Sequence, residues 1–135
     1  MTPLDQALRA YAASPSPDAV LLIVRALSSS QLKDYLDITA AFGLGHLVEV
    51  ADAREAEIAL AAGARVIGVN NRDLATFEVD VERAEKVLPV LQGTGAVSVG
   101  ESGVSSRSTV LRLERAGVDA LLVGEALVGA SDPAV

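Results

Sequence analysis

Polar side chains and glycines cluster where the apolar runs of this chain end, and these are the residues with chemistry to offer. Glu49 stands inside the run 46–50 (HLVEV). An acid buried there without a partner costs several kcal/mol, so it pairs, reaches solvent at the end of its element, or acts on a ligand. Asn70, Asn71 and Arg72 follow the run 66–69 (VIGV). Asn70 carries both a donor and an acceptor and can orient a hydroxyl or a carboxylate; Asn70-Asn71 can equally be a turn. Arg72 can clamp a phosphate or carboxylate with its fork of donors, or pair at the surface with Asp73 or Glu78. Gly100-Glu101-Ser102-Gly103 follows the run 96–99 (AVSV), and Gly124-Glu125 follows 120–123 (ALLV). Glycines let a backbone approach an anion closely, and the N–H groups of a following helix start are its ligands. The plainer alternative is a tight strand-to-helix turn. The two places echo each other, Val99-Gly-Glu-Ser102 and Val123-Gly-Glu-Ala126, which suggests a shared structural job.

These residues need elements to hold them. The runs 19–24 (AVLLIV), 46–50, 66–69, 96–99 and 120–123 are short and nearly continuous, the pattern of parallel strands buried on both faces. Helical patterns lie between them. Thr2-Pro3 opens a first helix through about Ala13. Ser28 and Gln31 have capping-box spacing, and that helix stops near Gly43. Asp52 with Glu55 opens the next, ending at Gly63. Asp80 opens one that runs to about Pro89. Ser105 or Ser106 opens another, ending at Gly117, and a helical stub closes the chain. The only linker-like stretch is 14–17 (SPSP). The expected organisation is an N-terminal helix and linker over 1–17 and one domain over 18–135, α(βα)₄β in outline. Such alternation implies a parallel sheet, with function beyond the C-terminal ends of its strands.

Composition narrows the classes of function. The chain has 135 residues, 50% of them hydrophobic and 21% charged, enough for one domain with a true core. A net charge of −7 disfavours nucleic acid and anionic membrane as partners. With no cysteine and one histidine, thiolate and His-pair metal motifs are excluded. His46 reads as the start of a strand rather than a catalyst, Tyr11 and Tyr35 as packing residues, and Lys33 and Lys86 lie on helices away from the strand ends. No apolar run approaches the roughly 20 residues of a membrane helix. The first ten residues do not form a signal peptide, so the cytoplasm is the expected compartment.

Taken together, the segments resemble the C-terminal part of indole-3-glycerol phosphate synthase, from that family's fourth strand onward. The resemblance is carried by Asp18-Ala-Val-Leu-Leu-Ile-Val24, Leu47-Val-Glu-Val50, Ile67-Gly-Val-Asn-Asn-Arg-Asp-Leu74 with Thr76-Phe77, Gly100-Glu-Ser-Gly103 and Ala116-Gly-Val-Asp-Ala-Leu-Leu-Val-Gly-Glu-Ala126. It implies a (βα)₈ barrel that closes the pyrrole ring of a carboxyphenylamino-deoxyribulose 5-phosphate with loss of carbon dioxide and water, using no metal or organic cofactor. By the same resemblance Glu49 is the acid–base glutamate of the later dehydration and Asn70 an asparagine lying against the substrate. Arg72 belongs to the same active-site loop, and Glu101 and Ser102 line the pocket. Gly103, Gly124 and Glu125 fall where the phosphate is held.

Relative to that family, three strands are missing, with two active-site lysines and an early glutamate, and residues 1–17 look like a replacement start or a remodelled third helix. Losing a general acid typically costs 10²–10⁴-fold, so the chain alone is expected to be a half-barrel without independent activity. Five parallel strands do not close a barrel. The expected outcomes are a flavodoxin-like open sheet, a barrel-like homodimer joined through sheet edges, or a piece of a longer enzyme. Two other functions compete: a module that binds phosphate or a phosphorylated small molecule, and a structural half-barrel, natural or engineered, that keeps its site residues by inheritance.

Overall fold

A computed structural model describes residues 6, 18–72, 81–101, 103, 106–124 and 131. Five strands alternate with helices: β1 (Ala19–Ile23), α1 (Ser29–Ala41), β2 (Gly45–Val50), α2 (Ala53–Ala61), β3 (Val66–Asn70), α3 (Glu82–Leu91), β4 (Val97–Glu101), α4 (Arg107–Ala116) and β5 (Ala120–Leu122), with a short 3₁₀ turn at Val24–Ala26. The expected N-terminal helix, the C-terminal stub, and Ser102 and Glu125 lie outside the described residues.

Local chemistry accounts for where the helices begin. Ser28 accepts from the Gln31 N–H at 3.1 Å, and Gln31 Oε1 accepts from the Ser28 N–H at 2.9 Å, a complete capping box. Asp52 accepts from the Glu55 N–H at 2.8 Å, and Ser106 accepts from the Thr109 N–H at 3.3 Å. Gly117 ends α4 at φ 95°, a left-handed cap that favours glycine. Helix α3 runs past Pro89 to Leu91. The proline ring is exposed, so the backbone bond it forgoes lies on the solvent side while Val87, Leu88 and Leu91 stay buried.

All pairings are parallel, in the order β1-β2-β3-β4-β5. The sheet of the described residues is open, but it does not have the flavodoxin order, in which the first strand lies inside the second. The reason lies in the two faces. One face carries Leu22, Val48, Val50, Ile67 and Val69 against Leu32, Leu36, Ala56, Val87, Leu88 and Leu113 of the helices, forming a single core. The other carries Glu49, Gly68, Asn70 and Glu101 with the exposed Leu21, Val97 and Leu122. A flavodoxin order needs helices on both faces, and one of them would then bury these polar groups without partners. Sequential order keeps the helices on one side, the arrangement of a barrel arc.

Two polar clusters tie down the N-terminal ends of the strands. His46 Nε2 accepts from the Arg65 N–H at 2.8 Å and lies 3.4 Å from the Val66 N–H. Burial, and then the neighbouring Arg65, push the imidazole pKa down, which suits a ring that accepts. Asp119 Oδ2 accepts from the Ser98 N–H at 2.8 Å and from its hydroxyl at 3.1 Å. His46 therefore serves register at the end opposite the site, as its place at the start of a strand suggested. Among the described residues no helix is long and apolar enough to cross a membrane.

Candidate functional site

The uncovered face of the sheet gathers the acids. Glu49 sits opposite Ile23 of β1 and Gly68 of β3, while Glu101 sits opposite Asn70 of β3 and Leu122 of β5. All of these residues alternate onto the face away from the helices. Glu101 is 4% exposed, and its Oε2 has no hydrogen-bond partner among the described residues. The group that faces it is another carboxylate, Glu49. Burial first, then the charge of Glu49 and a hydrogen bond to it, push the Glu101 carboxyl up to about 7. A carboxyl in this state can hold or release a proton near neutrality.

A small cleft of about 10 Å³, room for about one water, opens at the C-terminal ends of β1, β2 and β3. Glu49, Asn70 and Arg72 line it together with Arg25, Glu55 and Arg83. Three arginines and two glutamates thus meet at this rim. Arg25 and Glu55 form an ion pair at 3.7 Å. Burial outweighs the attraction of Arg25 and raises the Glu55 pKa. Asn70 Oδ1 accepts from the Arg72 N–H at 2.9 Å, so the turn reading of Asn70-Asn71 holds for that oxygen. Its amide NH₂ remains the end that can meet a ligand, and Asn70 thus shapes the loop as well as facing the cavity. Asn71 is fully buried, and its N–H bonds the Glu101 carbonyl at 3.0 Å, a structural place.

The glycines divide into three kinds. Gly103 has φ 72°, so its backbone alone accounts for glycine. Gly124 is exposed, its φ lies outside the left-handed range, and a side chain there meets nothing within 4 Å. Among the described residues, neither packing nor backbone requires glycine at that position. Gly100 is different again. It lies inside β4, buried, and a Cβ there would stand 3.1 Å from Leu121 Cδ2, a tight contact, with Leu113 and Val118 at ordinary contact distance. The echo of Val99-Gly-Glu in Val123-Gly-Glu therefore does not mark one repeated job: β4 continues through Glu101, whereas β5 ends at Leu122.

The structure thus brings Glu49, Asn70, Arg72 and Glu101 together, and puts Gly103 and Gly124 just beyond the neighbouring strands β4 and β5. The sequence reading missed Arg25, Arg83 and Glu55 as lining residues. The strand-end rule finds Arg25 when applied to the first run, since the arginine follows Val24 directly. Glu55 was counted only as a helix start, and no local signal marks Arg83.

Comparison with known proteins agrees with this architecture. A profile of the family "Indole-3-glycerol phosphate synthase" matches residues 4–135. The match thus takes in most of the segment over 1–17 that looked unlike the family. An indole-3-glycerol phosphate synthase of Carboxydothermus hydrogenoformans is 48% identical over 116 residues, covering 86% of this chain and 44% of that protein. Indole-3-glycerol phosphate synthase 2 of Streptomyces coelicolor is 52% identical over 116 residues, with 86% and 45% covered. The chain spans less than half the length of these relatives. Among solved structures, a thiamine phosphate pyrophosphorylase from Pyrococcus furiosus superposes with TM-score 0.65 at 20% identity, over 86% of this chain and 54% of that one. An N-acetylmannosamine-6-phosphate 2-epimerase from Clostridium perfringens does so with TM-score 0.65 at 14% identity, over 84% and 52%. These likenesses concern the fold, an arc of a larger α/β barrel. From the profile over nearly its whole length, and from relatives at about half identity, this chain belongs to the indole-3-glycerol phosphate synthase family.

Proposed function

We propose that the chain carries the C-terminal half of a ring-closing site for a carboxyphenylamino-deoxyribulose 5-phosphate, and that it needs the N-terminal half of the barrel to turn over. The carrying observation is the buried Glu101 carboxyl held against Glu49 beside an arginine-rich rim. Ring closure joins the aromatic carbon that bears the carboxylate to the ketose carbonyl carbon, and the carbonyl oxygen takes up a proton. Carbon dioxide then leaves, and the new hydroxyl departs as water while the adjacent carbon gives up a proton. A protonated Glu101 beside the Glu49 carboxylate supplies an acid and a base for such steps, with Glu49 serving the dehydration. Arg72, with Arg25 and Arg83 on the same rim, suits the substrate carboxylate. Asn70 orients the substrate through its NH₂. Ser102 lines the pocket, and backbone N–H groups at Gly103, Gly124 and Glu125 hold the phosphate. The reaction belongs in the cytoplasm.

The test is indole product formation from this substrate by the chain alone and by the chain mixed with a separately expressed N-terminal half from a relative. Turnover only in the mixture is expected. No product in either case overturns the proposal.

One observation favours a second reading, phosphate binding that survives without catalysis: nothing among the described residues requires glycine at Gly124. In that case inorganic phosphate raises the Tm of the chain alone through linkage, and Gly124→Asp removes the effect. A Tm unmoved up to millimolar phosphate overturns it.

A further inference from the structure

Gly68 is out of place by the ordinary rules of strands. It is buried in the middle of β3, where glycine typically costs about 1 kcal/mol against alanine, and its φ is not in the left-handed range that would demand it. Its neighbours supply the reason. A Cβ on Gly68 would stand 2.7 Å from both Cδ and Oε2 of Glu101, and 3.1 Å from Leu47 Cδ1. The first two distances are shorter than real Cβ contacts, so the Glu101 carboxyl occupies the space a side chain at position 68 would fill.

Strand spacing shows what that space is for. Glu49 and Glu101 stand on β2 and β4, with β3 between them, so their backbones are separated by two strand spacings, roughly 10 Å. Glu101 is opposite Asn70, two residues beyond Gly68, and it must lean back across β3 to approach Glu49. A side chain at position 68 on this face would stand in the way.

We propose that Gly68 is a positioning residue: its missing side chain is the slot through which the Glu101 carboxyl crosses β3 to meet Glu49, so that the two acids act as one proton-holding pair. The proton's use in ring closure rests on the function proposed above, whereas the slot does not. Around Glu101, β2 presents Glu49 and Leu47, β3 presents Gly68 and Asn70, and β5 presents Leu122. No helix packs on this face among the described residues, and Glu49 is the charged group that acts on Glu101. Arg72 lines the cavity with Glu49 at the end of β3.

Two measurements on the full chain, without substrate, test this. The first is the titration of the Glu101 side-chain carboxyl by ¹³C NMR. A midpoint near neutrality is expected, falling by at least one pH unit in Gly68→Ala and partly in Glu49→Gln. The second is a thermal double-mutant cycle of Gly68→Ala with Glu101→Ala. Gly68→Ala should lower the Tm several-fold more when the Glu101 carboxyl is present than when it is absent. If Gly68→Ala does not fold, a folded Gly68→Ala/Glu101→Ala double variant supports the slot directly. An additive cycle overturns the proposal, as does a Glu101 midpoint that Gly68→Ala leaves unchanged. Because neither readout involves turnover, a failure to make indole leaves the slot standing, and a failure of the slot leaves the catalytic proposal to its own assay.

Discussion

A glutamate that holds its proton near neutrality makes folding stability depend on pH in a definite sense. Folding raises the Glu101 pKa from 4.5 to about 7, so between those values the folded chain keeps a proton that the unfolded chain has released. The stability this represents is complete below the unfolded value and is lost as pH rises through the folded one. At about 1.4 kcal/mol per unit, the carboxyl costs on the order of 3 kcal/mol at pH 8 relative to acid. Glu101→Gln should remove that cost, raising stability at pH 8 by about 1–3 kcal/mol and flattening the dependence, as urea unfolding at pH 5 and pH 8 would show. The same substitution should abolish any turnover of the reconstituted enzyme. His46 acts in the opposite direction. Folding depresses its pKa, so below about 6.5 the unfolded chain takes up a proton that the folded chain resists, and stability falls with acid. His46→Ala should cost roughly 1 kcal/mol at pH 8, through the lost acceptor for Arg65, and less at pH 5. Urea titrations of that variant at the two pH values check the sign.

At the scale of elements, each helix start adds a local increment of stability, because a cap satisfies backbone donors that have no partner within the helix. Ser28→Ala removes the hydroxyl that accepts from the Gln31 N–H, while the Ser28 N–H keeps Gln31 Oε1 as its acceptor. It should cost about 1 kcal/mol, lowering the Tm by roughly 3–5 °C in a thermal melt. Ser28→Gly should cost less, since a glycine cap leaves those groups to water. Helix α3 has no side-chain cap at Val81 and includes Pro89. It is held instead by Ala84, Val87, Leu88 and Leu91 in the core. Leu88→Ala should therefore exceed any single cap loss, at about 2–5 kcal/mol.

At the scale of the molecule, the described residues give the sheet one face covered by helices and one without them. Leu21, Val97 and Leu122 are 50%, 43% and 55% exposed on the face opposite the helices. Among the described residues β1 and β5 each pair on one side only. Exposed strand edges beside apolar side chains recruit other chains. We propose that the chain alone self-associates through its edges, and that an N-terminal half-barrel replaces that contact with a one-to-one complex. Sedimentation or size-exclusion with light scattering should show the larger species shrink to a heterodimer on mixing. Leu21→Lys with Leu122→Lys should reduce self-association while leaving the helix content unchanged, and should weaken the heterodimer as well. A chain that remains a monomer at high concentration would overturn the self-association.

Much of this was legible in the amino acids themselves, because it depends on near neighbours. The five strands lie within one or two residues of the apolar runs, since short Val- and Ile-rich stretches have few other ways to bury themselves. Ser28, Asp52 and Ser106 mark their helix starts because capping is decided within three residues. Glu49 stood out because a charge in an apolar run needs a reason. What pairs with Glu49 was not legible. Glu101 belongs to a strand 52 positions later, and the two meet only because β3 lies between them in register and Gly68 leaves the gap. The sequential strand order, the single helical face and the arginine rim are likewise products of the fold. Composition and periodicity report what each segment prefers locally. Which strand lies beside which, and hence which side chains share one face, follows from packing the whole sheet against its helices.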